Sequence, residues 1–408
     1  MKTTFKLRVL TPMFMGGAEP QKEPELRAAS IRGAMRFWFR AMAGAVTSDP
    51  QEVYKLESEI FGNTERKSRV VVRVKNVLNE EKCKKMILER QDALKEGNLQ
   101  PIPKKHQFLV YLANMGLVKY YSKRDLEREN SKNPPGFYWD RGAFLPNFEF
   151  LIELSGTNTL ALNIIVSVLK IAIHLGGFGT RWRHGFGSCE IVEINGNSPN
   201  KFDFSPIEEV IEKIKTMAES LKIAPEKEFN NLPDFPLFAI PYYQIWEGQR
   251  PDEKKWDSLL SYIGKTYREF RKHDGDNFGR YGHTRDFLDI IQPIFEKRDV
   301  KSDNPRNDVF GLPIQFSKQY GKKRKTAIIN VKEKEINRRA SPLILHVEPD
   351  IGLIRATLFK SKFLPEKANY IADQQPSLKL RKPNENDFQR IEKFLQNYLG
   401  LTRRYPNA

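Results

Sequence analysis

Strand, helix, strand, then strand, helix, strand is the order the first half of the chain spells out, and it recurs in rougher form in the second half. That order predicts an α+β fold of two tandem ferredoxin-like (RRM-like) domains with insertions. Length agrees, because 408 residues exceed what one ordinary core holds. Composition agrees as well: 39% of residues are hydrophobic, enough for packed cores. No apolar run reaches the roughly 18 residues a membrane helix needs. The start, "MKTTFKLRVL", lacks the apolar stretch of a signal peptide. A soluble cytoplasmic protein with no membrane partner is expected.

The first strand is read at residues 3–10, where Phe5, Leu7 and Val9 alternate with Lys6 and Arg8. A Pro- and Gly-containing loop follows. The stretch "SIRGAMRFWFRAMAG" reads as a helix that Ser30 is placed to cap and Gly44 to end. Ile31, Ala34, Met35, Trp38, Phe39 and Met42 form one apolar stripe. Beside it, Arg32, Arg36 and Arg40 recur every four residues as a stripe of cations. "RVVVRVKNV" reads as the second strand. An insertion follows over about 79–142, comprising a charged helical stretch, a strand at "HQFLVYLAN" and a mobile segment at 119–142. "FEFLIELSG" is the next strand, and residues 158–175 form a helix apolar nearly all round. "SCEIVEI" closes the unit. An amphipathic helix at 205–222 and a linker come next, so the first domain is expected over 1–225. The second is expected over 233–408, with strands at "LFAIPYYQIW", "SPLILHV" and "GLIRATLF" and helices at 254–272 and near 385–399.

Charge narrows the function. Lys and Arg number 68 against 51 acidic residues, a net of +17. A polyanion such as nucleic acid is the natural partner; a Lys/Glu-rich surface of the thermophile kind is the alternative. No acidic residue within the arginine helix can pair with Arg32, Arg36 and Arg40, and such guanidiniums grip phosphate bidentately. A solvated helix face is the competing account. The loop "GGFGTRWRHGFGS" at 176–188 fits neither the Walker nor the dinucleotide spacing of glycines, and it follows a helix where those loops follow a strand. Its glycines permit close backbone approach and positive φ, and its amides could form an anion nest. Arg181, Trp182, Arg183 and His184 add charge and flat faces for bases. A tight structural turn is the competing reading.

Other chemistry is sparse. Cys83 and Cys189 make no Cys-x-x-Cys pair and read as packing thiols, and the six histidines show no metal-ligand spacing. No metal and no cofactor are expected. "FGRYGHTRDF" places Arg280, Tyr281, His283 and Arg285 together as a second RNA contact or an interface with a neighbouring subunit, with a helix-bounding turn as the competing reading, and "YGKKRKT" is a basic run between strands. "NPPGFYWDRG" is aromatic enough to anchor an interface.

"TPMFMGGAEP", "ELRAASIRGAMRFWFRAMAG" and "GGFGTRWRHGFGS" resemble the RAMP superfamily of CRISPR proteins, and within it the first subunits of type III-B (Cmr) effector complexes. "NDVFGLPIQF" and "RRASPLILHV" extend the likeness into the second half. The resemblance implies two ferredoxin-like domains and a non-catalytic subunit of an RNA-guided, RNA-targeting antiviral complex. It implies contact with guide RNA near its 3′ end, with single-stranded target RNA and with other RAMP subunits. Arg32, Arg36, Trp38 and Arg40 match the family's helix; Gly177, Gly179, Arg181, Arg183, Gly185 and Gly187 match its glycine loop. Trp182 and His184 depart from the usual small or basic residues there. The rival expectation is a metal-independent guide-processing ribonuclease with His184 as general base.

Overall fold

The computed structural model describes the chain apart from residues 20–22, 114–115, 227–230, 274–289, 291, 297, 300, 302–309, 311–313, 321–322, 333–339, 363–368, 373–374, 381–383 and 407–408. Its first sheet has four antiparallel strands: β1 (Lys2–Val9), β2 (Val70–Asn76), β3 (Glu149–Gly156) and β4 (Cys189–Ile194), in the order β2-β3-β1-β4. Two-residue alternation sends Phe5, Leu7 and Val9 of β1 inward. Helices α1 (Ala28–Ala43), α2 (Pro50–Phe61) and α3 (Thr159–Leu175) contribute the other side of this core. The α3 helix starts at Asn158, whose side chain accepts a bond from Ala161 N at 2.8 Å. Being apolar nearly all round, it is buried along most of its length.

The second sheet repeats the plan. Strands β5 (Tyr243–Gln249), β6 (Leu343–Glu348), β7 (Leu353–Phe359) and β8 (Thr402–Tyr405) lie in the order β6-β7-β5-β8, all antiparallel. Helix α4 (Trp256–His273) follows β5, and a helical stretch from Phe388 to Tyr398 precedes β8. Both sheets therefore place their chain-order strands as 2-3-1-4, the ferredoxin-like arrangement. A further sheet is built from Ile314–Tyr320, Lys323–Lys332, Asn369–Ala372 and Gln375–Leu380.

Several local expectations change. Helix α1 begins after Arg27, without a side-chain cap, so Ser30 lies inside its first turn. "HQFLVYLAN" holds the short helix Leu109–Ala113 where a strand was expected. Residues Leu109, Leu112 and Ala113 are buried with Leu259, Leu260 and Ile263 of α4, so a helical face serves where a strand face would not. The 119–142 segment is no loose excursion. Val118–Tyr121 pairs with Gly136–Trp139, and the helix Lys123–Arg128 carries a Ser122/Asp125 capping box. Of the basic run, Lys323, Arg324 and Lys325 open a strand.

The two cores interlock. Phe14 and Phe186 from the first unit lie in the second core, and Tyr243, Ile245 and Phe359 from the second lie in the first. Buried Arg355 on β7 ties them further: it pairs with Glu247 and Glu348 and donates to the His174 carbonyl at the end of α3 (2.7 Å).

Candidate nucleic-acid interface

The glycine loop is the joint between these cores. Gly179 has φ +90°, and a Cβ there would stand 2.5 Å from the Phe14 carbonyl oxygen. Gly187, at φ +66°, would collide with the Phe178 carbonyl. Only glycine allows the loop to press onto the 10–15 segment in this way. The close approach commits the loop's amides. Phe178 N donates to Gly187 O (3.0 Å), Thr180 N to Phe14 O (2.7 Å) and Gly187 N to Pro12 O (3.0 Å). His184 N bonds Arg181 O (2.8 Å), Gly185 N bonds Trp182 O (3.3 Å), and Ser188 N bonds Thr11 Oγ1 (3.0 Å). Six of the loop's thirteen amides thus face protein acceptors and are not turned to an anion.

The loop's side chains divide between seam and rim. Arg183 reaches across to Ser341 O (2.9 Å), and its own carbonyl accepts from Leu345 N on β6 (3.0 Å). Its guanidinium lies over Phe37 (4.6 Å) and Trp182 (5.0 Å), and burial pulls it down to about 10, still cationic at neutral pH. Trp182 packs edge-on against Phe37 and beside Trp38. Trp38 is fully buried among Trp182, Phe238 and Phe359, so it is a core residue and offers no face to a base. His184 bridges to Leu345, and its Nδ1 is shut away from solvent without a hydrogen-bond partner. Burial, then Arg181, lowers it to about 4. A neutral imidazole enclosed at Nδ1 in the interdomain seam is poorly placed to take a proton from a ribose hydroxyl. Arg181 holds φ +63° in a loop with five glycines, at a position where glycine would relax the backbone.

The α1 arginines are not solvated singly. Glu57 of α2, its side chain 2% exposed, pairs with both Arg36 and Arg40, the latter at 3.5 Å. Arg32 donates to the Phe61 carbonyl and lies over the Phe61 ring, as does Arg36. The expectation that the stripe had no acidic partner is corrected: the partner comes from α2. The stripe nevertheless keeps an excess, three guanidiniums against one carboxylate. Burial, then repulsion by Arg36, lowers Arg32. The Arg36 and Arg40 side chains remain 34% and 49% exposed.

The contacts expected of Arg280, Tyr281, His283 and Arg285 fall outside the described residues. Among the described residues no three His, Cys, Asp or Glu side chains are grouped to hold a metal, and no helix is long and apolar enough to cross a membrane. Cys83 and Cys189 are both free, and burial raises the Cys189 thiol far above its usual range.

Residues 6–190 match the RAMP superfamily. The CRISPR system Cmr subunit Cmr1-2 of Pyrococcus furiosus is 32% identical over 195 residues, which span 46% of this chain and 93% of that protein. Its Cmr1-1 counterpart from the same organism is 23% identical over 331 residues, 78% of this chain and 85% of that one. The crystal structure of apo Cmr1 from Pyrococcus furiosus is similar in fold, with a TM-score of 0.53 over 99% of this chain and 98% of that chain at 20% identity.

Proposed function

The chain belongs to the RAMP superfamily, as a subunit of a type III-B CRISPR effector complex, and we propose that its task there is to hold RNA without cutting it. The RNA is guide strand near its 3′ end together with single-stranded target, and the remaining RAMP subunits of the complex are its protein partners. The observation that carries this reading is the cationic excess on α1: three guanidiniums stand against the single carboxylate of Glu57, and the Arg36 and Arg40 side chains stay about one-third and one-half exposed. Guanidiniums so aligned suit successive phosphates and carry no base preference. Arg181, at positive φ, extends the same chemistry to the loop. Arg183, Trp182, His184 and Trp38 serve by fixing the seam on which this surface rests.

The test is a salt titration of RNA retention. For a single strand, log K falls with log salt by about 0.7 per phosphate contacted. Replacing Arg36 and Arg40 by Gln is expected to weaken binding at every sequence and to flatten the slope by about one to two contacts' worth. Unchanged slope and affinity in that variant would remove α1 from the RNA path. Repeat RNA incubated with the pure chain in chelator is expected to stay intact.

A further inference from the structure

The insertion carries a second feature that the arginine helix does not explain. Tyr120 and Phe137 face each other across the hairpin Val118–Tyr121/Gly136–Trp139, with ring centroids 5.0 Å apart. They are 55% and 36% exposed, and among the exposed large hydrophobic residues described they are the two joined ring to ring. Their neighbours Tyr121 and Tyr138 point the other way, into a small core with Ala93 and Leu126. The hairpin thus holds two aromatic rings outward on a rigid base. Ile102 N donates to Phe137 O (2.8 Å), which brings the 101–103 segment alongside the pair and carries exposed Lys104 and Lys105 just beyond it. Lys119 belongs to the opposite face of the hairpin, its Nζ 4.7 Å from the Tyr121 ring centre. Among the described residues, no carboxylate pairs with Lys104 or Lys105.

We propose that Tyr120 and Phe137, with Lys104 and Lys105 beside them, form a stacking platform for unpaired nucleobases of single-stranded RNA. Charge complementarity favours this occupant over a protein. Lysine is depleted in protein–protein interfaces, while exposed rings beside cations are the working parts of sequence-tolerant single-strand sites. The proposal rests on the RNA-binding reading above, and it adds a second contact on a different element with different chemistry: stacking where α1 supplies phosphate grip.

The experiment uses the full chain and a short single-stranded RNA bearing 2-aminopurine, with the same RNA as a blunt duplex for comparison. The Tyr120→Ala/Phe137→Ala variant is expected to lose affinity by about tenfold or more and to lose the fluorescence change that stacking gives. The swap Tyr120→Phe/Phe137→Tyr is expected to restore both. Should the double alanine variant fold poorly, K104Q/K105Q is expected to lower the salt slope while leaving the fluorescence change in place. If the wild-type chain retains no RNA, both readings fail. If it retains RNA through Arg36 and Arg40 but the ring variants bind equally well, or bind duplex equally well, this inference alone is overturned. It is overturned in the same way if the ring variants lose only a protein subunit.

Discussion

Glu57→Gln separates stability from RNA affinity in a way that tests the arginine surface directly. Glu57 is buried and holds Arg36 and Arg40. Removing one member of a fully buried ion pair costs about 3–5 kcal/mol, because the partner is left charged and dry. Here the partners are one-third and one-half exposed, so water takes over much of the lost interaction, and the expected cost falls to about 1–2 kcal/mol. Glutamine keeps the volume and an acceptor oxygen, which favours the lower figure. The same change leaves three guanidiniums with no carboxylate among them. Two are then free to turn to phosphate, so RNA affinity is expected to hold or rise. The salt slope should steepen by up to about 0.7 per added phosphate contact. Chemical denaturation of the full chain gives the first quantity and fluorescence anisotropy across a salt series gives the second. A variant that loses affinity in step with its stability would refute the reasoning, because Glu57 would then be shaping the RNA surface and not competing for it.

Gly187→Ala should destabilise the chain by about 2–4 kcal/mol, since it adds the left-handed penalty to a collision with the Phe178 carbonyl; Gly196→Ala, also at positive φ but with open space around it, should show the left-handed penalty alone. Acid should weaken the fold through two histidines. His184 sits at about 4 and His174 at about 3, both below the ordinary 6.5, chiefly through burial. Between pH 6.5 and 4 the unfolded chain binds protons that the folded one refuses, so stability falls as pH falls, by up to about 1.4 kcal/mol per pH unit for each histidine. Denaturation midpoints measured over that window should flatten in His174→Gln and His184→Gln.

Much of the architecture is legible in the sequence because its signals are local. Alternation in 3–10 and the all-round apolar run of 158–175 follow directly from burial on one or both faces, and both elements stand where those patterns place them. Helix α2, absent from the elements expected of the sequence, carries signals just as local. Asp49 accepts from Gln51 N at its start, Pro50 opens the first turn, and Val53, Leu56 and Ile60 repeat at helical spacing before Gly62. Without α2 there is no place for Glu57, and so the arginines look unpaired. The burial of Trp38 has a different cause. The apolar stripe of α1 is legible as far as the first core, but Phe238 and Phe359, which cover Trp38, come from beyond residue 230. No spacing within α1 encodes that contact. The helix at 109–113 likewise owes its form to α4, some 150 residues later in the chain.

The glycine loop shows how one composition serves two ends. Glycine, arginine and aromatic residues in a short run suit a nucleic-acid loop, and they equally suit a seam in which backbones touch and a cation lies between rings. The deciding quantity is where the amides point. Here three point to Phe14, Pro12 and Thr11 and three more close bonds within the loop, so the loop clamps the 10–15 segment against β6. The clamp matters for the surface outside it. Phe37 and Trp38 of α1 pack on Trp182, and Arg183 lies over Phe37. The arginine stripe on the same helix is therefore set in position by the loop, although the loop's own ring and imidazole face inward. The proposed grip on a phosphate backbone needs guanidiniums held at fixed spacing, and a helix fastened to the joint between the two cores would hold them so.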